Sequence, residues 1–116
     1  MKTAMEQKLM GPSLLVSQNI HATKYRLTNE SFYEAMCRIA GALADGDTHR
    51  KRFKELLLDM RFMPAGRVQC AMGSPRETTA YNCFVSGEIE DSMTSVMMQA
   101  SNAAETMRRG GGIGYD

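Results

Sequence analysis

Arg109-Gly110-Gly111-Gly112-Ile113-Gly114-Tyr115-Asp116 closes the chain. Upstream stands Tyr81-Asn82-Cys83-Phe84-Val85, and between the two a helix opens on Ile89-Glu90-Asp91-Ser92-Met93. A cysteine-bearing strand, an acid-capped helix and a glycine run, in that order, read as the start of a nucleotide site. The series breaks off where a larger fold would continue, so the chain is expected to be one piece of a larger protein.

Each part has a plain structural reading beside the functional one. Residues 80–86 predict a strand with Tyr81, Cys83 and Val85 on one face and Asn82, Phe84 and Ser86 on the other. Without a larger sheet this strand is expected to stand as an unpaired edge. A cysteine in a strand is usually a small hydrophobe; thiol chemistry needs a base or cation nearby, and none is local to Cys83. Asp91 and Ser92 are both good N-caps. Free N–H groups at such a helix start can also hold a ligand. The helix stripe is Met93, Val96, Met97, Ala100, Ala103, Ala104 and Met107, with Gln99, Asn102, Glu105 and Arg108 opposite. The glycine run follows a helix, whereas a dinucleotide loop precedes one, and the Lys-Ser/Thr pair of a phosphate loop is absent. A helix C-cap crossing into a strand accounts for it equally well.

Upstream, periodicity is weak through residue 27. Gly11-Pro12-Ser13 is a helix breaker, and residues 13–17 and 24–27 read as extended arms or brief turns. Ser31-Phe32-Tyr33-Glu34 is a capping box, followed by a stripe of Phe32, Ala35, Met36, Ile39, Ala40 and Leu43 that Gly46 is expected to end. Cys37 flanks that stripe as a half-buried filler. A second helix is predicted over residues 48–60, capped by Asp47 or Thr48, with Phe53, Leu56, Leu57 and Met60 inward and Pro64 as its stop. Pro64-Ala65-Gly66-Arg67-Val68-Gln69-Cys70 reads as a loop and short strand, and Gly73-Ser74-Pro75-Arg76 as a turn.

The chain has 116 residues, 14 basic and 13 acidic, for a net charge of +1. One domain at most is expected, with no field aimed at nucleic acid or membrane. The basic run His49-Arg50-Lys51-Arg52 reads as a solvated helix face. Met1-Lys2-Thr3-Ala4-Met5-Glu6-Gln7 lacks the apolar segment of a signal peptide, and no stretch is long enough to span a bilayer. Three widely spaced cysteines fit free thiols in a reducing cytoplasm. No ligand cluster of metal-site spacing is present, so no metal is expected. The 11 methionines read first as core packing, and second as a docking face.

Taken together, Arg61-Phe62-Met63-Pro64-Ala65-Gly66-Arg67, Tyr81-Asn82-Cys83-Phe84-Val85, Ile89-Glu90-Asp91-Ser92-Met93 and the closing glycine run resemble the large, catalytic chain of ribonucleotide reductases. The wording is nearest the adenosylcobalamin-dependent kind, over about residues 60–116. Residues 1–60 are similar, less specifically, to the family's helical N-terminal region. The resemblance implies a mostly α chain with short strands. Residues 1–60 would be the helical region, and 61–116 the first strand and helix of an incomplete ten-stranded α/β barrel. It implies that Cys83 is one thiol of the redox pair. Asn82, Ala65, Gly111 and Gly112 would line the ribonucleotide substrate, and Asp91, Ser92 and Met93 would bind a deoxynucleotide effector. Helix 91–109 would pack at a dimer interface.

The radical cysteine, its asparagine and glutamate neighbours and the second redox cysteine of the family lie beyond these blocks. The chain alone is therefore expected to be inactive. Its implied partners are a chain carrying the rest of the barrel and a thioredoxin-type reductant, with adenosylcobalamin bound only in the complete enzyme. The alternatives are a non-catalytic nucleotide-binding or dimerisation module, and a nonfunctional remnant. Split gene, interrupted gene and truncation all remain open, as do the radical source and the choice between diphosphates and triphosphates.

Overall fold

A computed structural model describes residues 10–115; the reading of Met1–Gln7 lies outside the described residues. The chain divides into two compact units, the first ending at Arg76 and the second starting at Glu77. Helices dominate, and the strands form one two-stranded parallel sheet.

In the first unit, α1 spans Leu15–Lys24, α2 Phe32–Leu43, α3 Asp47–Leu58 and α4 Gly66–Ala71. The α2 start is the capping box expected: Ser31 Oγ accepts from the Glu34 N–H, and the Glu34 carboxylate accepts from the Ser31 N–H at 2.8 Å. Phe32, Ala35, Met36, Ile39 and Ala40 are buried and meet Leu57 of α3. Met10, Phe53, Leu58 and Met72 pack against this core, while Leu43 at the helix end is exposed. Cys37 is half-buried, and all three cysteines are free thiols.

Residues 15–24 form a helix, which takes in most of the stretch 13–17 expected as an extended arm or brief turn; of 24–27 only 25–27 keep turn character. The helix has no apolar stripe facing the core: Leu15, Val16 and Ile20 are exposed, and only His21 is buried. It is anchored through His21, which bonds Gln69 and Arg26 and packs against the Phe32 ring, contacts that periodicity does not register. Residues 66–71 likewise form helix α4, not a strand. Its Gln69 is buried, donating from Nε2 to the Pro64 carbonyl at 2.7 Å.

Neither Asp47 nor Thr48 caps α3. Gly46 occupies that position, and Asp47 lies in the first turn, where its charge suits the helix dipole. Gly46 thus opens α3; α2 has already ended at Leu43, with Ala44 extended. Pro64 does not stop α3 either. Met60 sits at φ 53°, its N–H donating to Leu57 O at 3.1 Å, while the Arg61 N–H donates to Leu56 O at 3.0 Å. That is a Schellman close with methionine in the left-handed position usually given to glycine.

Residues 61–76, grouped by sequence with the following region, are tied into the first unit by Arg38. Its Nε donates to Glu30 Oε1 at 2.7 Å and its second terminal nitrogen to Oε2 at 3.0 Å. The remaining nitrogen donates to the Gln69 carbonyl at 3.2 Å and to the Met72 carbonyl. Gly73 (φ 66°) turns against this side chain, and a Cβ there would come within 2.7 Å of Arg38 Cγ. Burial works against the Glu30 charge, but the bonds from Arg38 and from the Leu27 N–H outweigh it and hold the carboxyl below its ordinary range. The basic run of α3 is exposed, with His49 against Asp45 at 3.2 Å.

The second unit contains β1 (Cys83–Val85), α5 (Met93–Arg108) and β2 (Gly112–Gly114). The strands pair in parallel, with Cys83 opposite Gly112, Phe84 opposite Ile113 and Val85 opposite Gly114. The predicted strand over 80–86 is therefore shorter than expected, and it is paired on one side. Parallel strands need a crossover, and α5 supplies it.

The orientation of α5 reverses expectation. Of the apolar stripe only Ala103 is buried, while Met93, Val96, Met97, Ala100, Ala104 and Met107 are exposed. The inward edge is Ser95, Gln99, Ala103 and Thr106, buried or half-buried. Small side chains on that edge suit close approach to a glycine strand.

Arg38→Met should cost about 3–5 kcal/mol of folding stability, because it strands the buried Glu30 carboxylate. Urea denaturation followed by circular dichroism reads the loss. The double change Glu30→Met with Arg38→Met should recover part of it; equal stability of single variant and parent would remove the pair from its structural role.

Candidate functional site

The chemistry-bearing residues of the second unit converge on the strand pair. The Gly112 N–H donates to the Asn82 carbonyl at 2.8 Å, and the Ser86 N–H donates to Gly114 O at 2.8 Å. These two bonds fix the register from both ends. Cys83 starts β1 with its thiol exposed. A Cβ built on Gly112 would lie 3.6 Å from Cys83 Sγ, an ordinary contact. Asn82, Cys83, Gly111 and Gly112 are thus brought together, with the thiol beside a strand of glycine backbone.

The glycine run performs the local task that the plain reading gave it. Gly110 takes φ 83°, its N–H donating to Met107 O at 2.8 Å, and the Gly111 N–H donates to Thr106 O at 3.0 Å. This Schellman close ends α5 and turns the chain into β2. Gly111 is buried, and a Cβ there would fall 2.7 Å from the Phe84 ring and 3.0 Å from Thr106 Cγ2. Its missing side chain is therefore required by packing. The chain also returns to the Arg109 carbonyl, which accepts from the Thr79 N–H at 3.1 Å and from Thr78 Oγ1 at 3.0 Å.

Asp91, Ser92 and Met93 are exposed at the start of α5. Ser92 is the N-cap, its Oγ accepting from the Ser95 N–H at 3.2 Å. Ser95 Oγ accepts in turn from the Glu90 N–H at 3.0 Å. The cap is thus Ser92 rather than Asp91, and Asp91 precedes the helix with its carboxylate toward solvent. Ala65 belongs to the first unit, where it is exposed as the N-cap residue of α4 and its carbonyl accepts from the Gln69 N–H at 3.1 Å. The adjoining Gly66 is pressed by Tyr25, whose Cε1 would stand 2.7 Å from a Cβ there.

A cleft of about 350 Å³ in the second unit is lined by Thr79, Tyr81, Phe84, Glu105, Thr106 and Arg109. Tyr81 and Phe84 meet edge to face, ring centroids 6.1 Å apart. Strand alternation had put Tyr81 on the face of Cys83; β1 begins only at Cys83, so Tyr81 is free to join Phe84 instead. Glu105 pairs with Arg108, terminal nitrogen to Oε2 at 2.9 Å, and this hydrogen bond holds the carboxyl below its ordinary range. The cleft went unnoticed in the sequence. Its only trace there is Glu105 followed at helical spacing by Arg108 and Arg109.

Among the described residues no group of three or more His, Cys, Asp or Glu side chains could hold a metal ion, and no helix is long and apolar enough to cross a membrane. No family model, no curated protein and no solved structure matches this chain.

Gly111→Ala should destabilise the second unit by about 1–3 kcal/mol through overpacking against Phe84 and Thr106. Gly112→Ala, in open contact, should stay within about 0.5 kcal/mol of the parent. Hydrogen exchange over residues 83–114 separates the two variants; equal protection would remove the packing requirement at Gly111.

Proposed function

We propose that the chain is the N-terminal part of a ribonucleotide reductase catalytic chain, which works joined to a chain carrying the rest of a ten-stranded barrel. The observation that carries this reading is the pairing of Asn82-Cys83 with Gly112. It sets an exposed thiol beside bare backbone, where a nucleotide could approach closely. In this reading Cys83 gives one electron and one proton to each turnover, and a cysteine of the partner chain gives the other pair. The two thiols become a disulfide, which a thioredoxin-type protein reduces again by exchange. Asn82, Gly111 and Gly112 line the ribonucleotide. The unfilled crossover motif suits the beginning of a sheet that other strands extend.

Helix α5 carries regulation in the same reading. Asp91, Ser92 and Met93 receive a deoxynucleotide effector, and the exposed Met93, Met97, Ala100, Ala104 and Met107 face forms a dimer contact. Their four-and-three spacing is that of a two-helix seam. The same face supports the second reading, a dimerisation module without catalysis. Adenosylcobalamin is assigned to the complete enzyme. The three free thiols fit a reducing, cytoplasmic setting.

With the partner chain supplied, Cys83→Ser should abolish multiple turnover driven by a dithiol while leaving nucleotide binding near the parent level, because serine matches the size but cannot form a disulfide. The chain alone should convert no ribonucleotide. Full multiple turnover in the variant complex would return Cys83 to a packing role, and turnover by the chain alone would overturn the fragment reading.

Asp91→Ala in the assembled enzyme should weaken effector binding by roughly 10- to 150-fold, the worth of a charge-assisted bond of about 1.5–3 kcal/mol to the sugar hydroxyl. Calorimetric titration with deoxynucleotides measures it. Unchanged affinity would leave Asp91 as a helix-end residue only.

A further inference from the structure

Three side chains in the first unit form a one-way hydrogen-bond chain. Arg26 Nε donates to His21 Nδ1 at 2.9 Å. His21 Nε2 lies 2.9 Å from Gln69 Oε1, and Gln69 Nε2 donates to the Pro64 carbonyl at 2.7 Å. Arginine can only donate and a carbonyl can only accept. The two ends therefore fix everything between them: Nδ1 is bare, Nε2 carries the proton, and the Gln69 amide has one orientation. His21 and Gln69 are 7% and 5% exposed, so water cannot readily replace a lost partner.

We propose that His21 is a pH-operated latch: its neutral, Nε2-protonated ring, buried between Arg26 and Gln69, holds α1 on α4, and uptake of a proton on Nδ1 expels the charged ring from beside Arg26 and so frees α1 from α4 and from the Pro64 turn that Gln69 holds. This rests on the hydrogen-bond chain alone and is independent of the reductase reading.

A proton on Nδ1 would set two donors against each other at the Arg26 contact and place two cations side by side. The Gln69 bond and the Glu30 charge compensate only in part. From α1 and the loop after it, Tyr25, Arg26 and Glu30 face the ring; from α2, Phe32 and Arg38; from α4, the uncharged Gln69. Glu30, the one anion, is bound by Arg38 at 2.7 Å. Burial moves the His21 ring below its ordinary value of 6.5; the bond to Gln69 works the other way, and the Arg26 charge adds to the lowering. The folded state thus binds this proton more weakly than the unfolded chain. The latch contributes fully above pH 6.5 and is lost as pH falls below it. The remaining ties of α1 to α4 are uncharged: Cys70 Sγ donates to the Lys24 carbonyl at 3.2 Å and the Tyr25 ring lies against Gly66, so neither changes with pH over this range.

Nitrogen-resolved NMR of the histidine rings in the full chain, from pH 8 to 5, tests the arrangement directly. The expected result is a His21 ring protonated at Nε2 at pH 7.5, with its second proton taken up below pH 6.5. Hydrogen exchange at pH 7.5 and 5.5, corrected for intrinsic rates, should show residues 15–24 and 64–70 losing protection together, by up to about tenfold per pH unit for one linked proton. The core helices α2 and α3 should keep theirs. In His21→Gln the two segments should show no such pH dependence, whatever their absolute protection. An Nδ1-protonated ring, proton uptake at or above 6.5, or the same pH-dependent loss in His21→Gln would each overturn the latch. The ring measurements stand even if the variant fails to fold.

Discussion

Parallel pairing is the constraint on which the second unit depends. A parallel neighbour cannot be reached by a tight turn, so the chain must leave β1, cross the sheet and return in the same direction. Helix α5 is that crossing. Its end must then reverse into β2 without loss of hydrogen bonds, which Gly110 at φ 83° and the buried Gly111 make possible. The exposed Cys83 thiol beside Gly112 is a consequence of this register. Had β2 paired one residue along, the thiol would face a different backbone neighbour and the Phe84 ring would lose its place over Gly111.

The first unit is organised differently. Its apolar core is confined to α2 and α3, while α1, α4 and the turns between are held by buried polar groups. Arg38 joins the Glu30 loop to the end of α4, and His21 with Gln69 joins α1 to the turn at Pro64. Such bonds are directional, and an unmatched buried donor or acceptor costs about 1–3 kcal/mol. They specify one arrangement more sharply than apolar contacts of the same area, but they are sensitive to charge. The two units thus differ in what would loosen them. In the first it is a change of protonation or the loss of one partner, and in the second a side chain where glycine is required.

Helix α5 presents the molecule's chief imbalance. A free-standing globular unit would turn Met93, Met97 and Met107 inward; here they face outward, and Ser95 and Ala103 face the strands. Strand order explains the inward choice, since two short strands present a shallow surface that small residues can meet closely. The outward face is then apolar surface that nothing in the unit covers, a pattern associated with interaction sites.

How far the residues alone carried the reading follows from the range of the forces involved. The α2 capping box, the Ser92 cap, the core stripe from Phe32 to Ala40, the free thiols and the C-cap role of the glycine run were all legible. Each depends on neighbours within one or two helical turns. The candidate site residues were legible as blocks, but their register was not, because the Asn82–Gly112 bond joins distant positions. Helices α1 and α4, the direction of α5, the Tyr81–Phe84 cleft and the left-handed turn at Met60 that closes α3 were decided only in the tertiary structure. In each of these, partners remote in sequence, or a backbone turn that composition does not favour, outweighed local propensity. Periodicity reports which face of an element is apolar; only the assembled chain determines whether that face finds a partner.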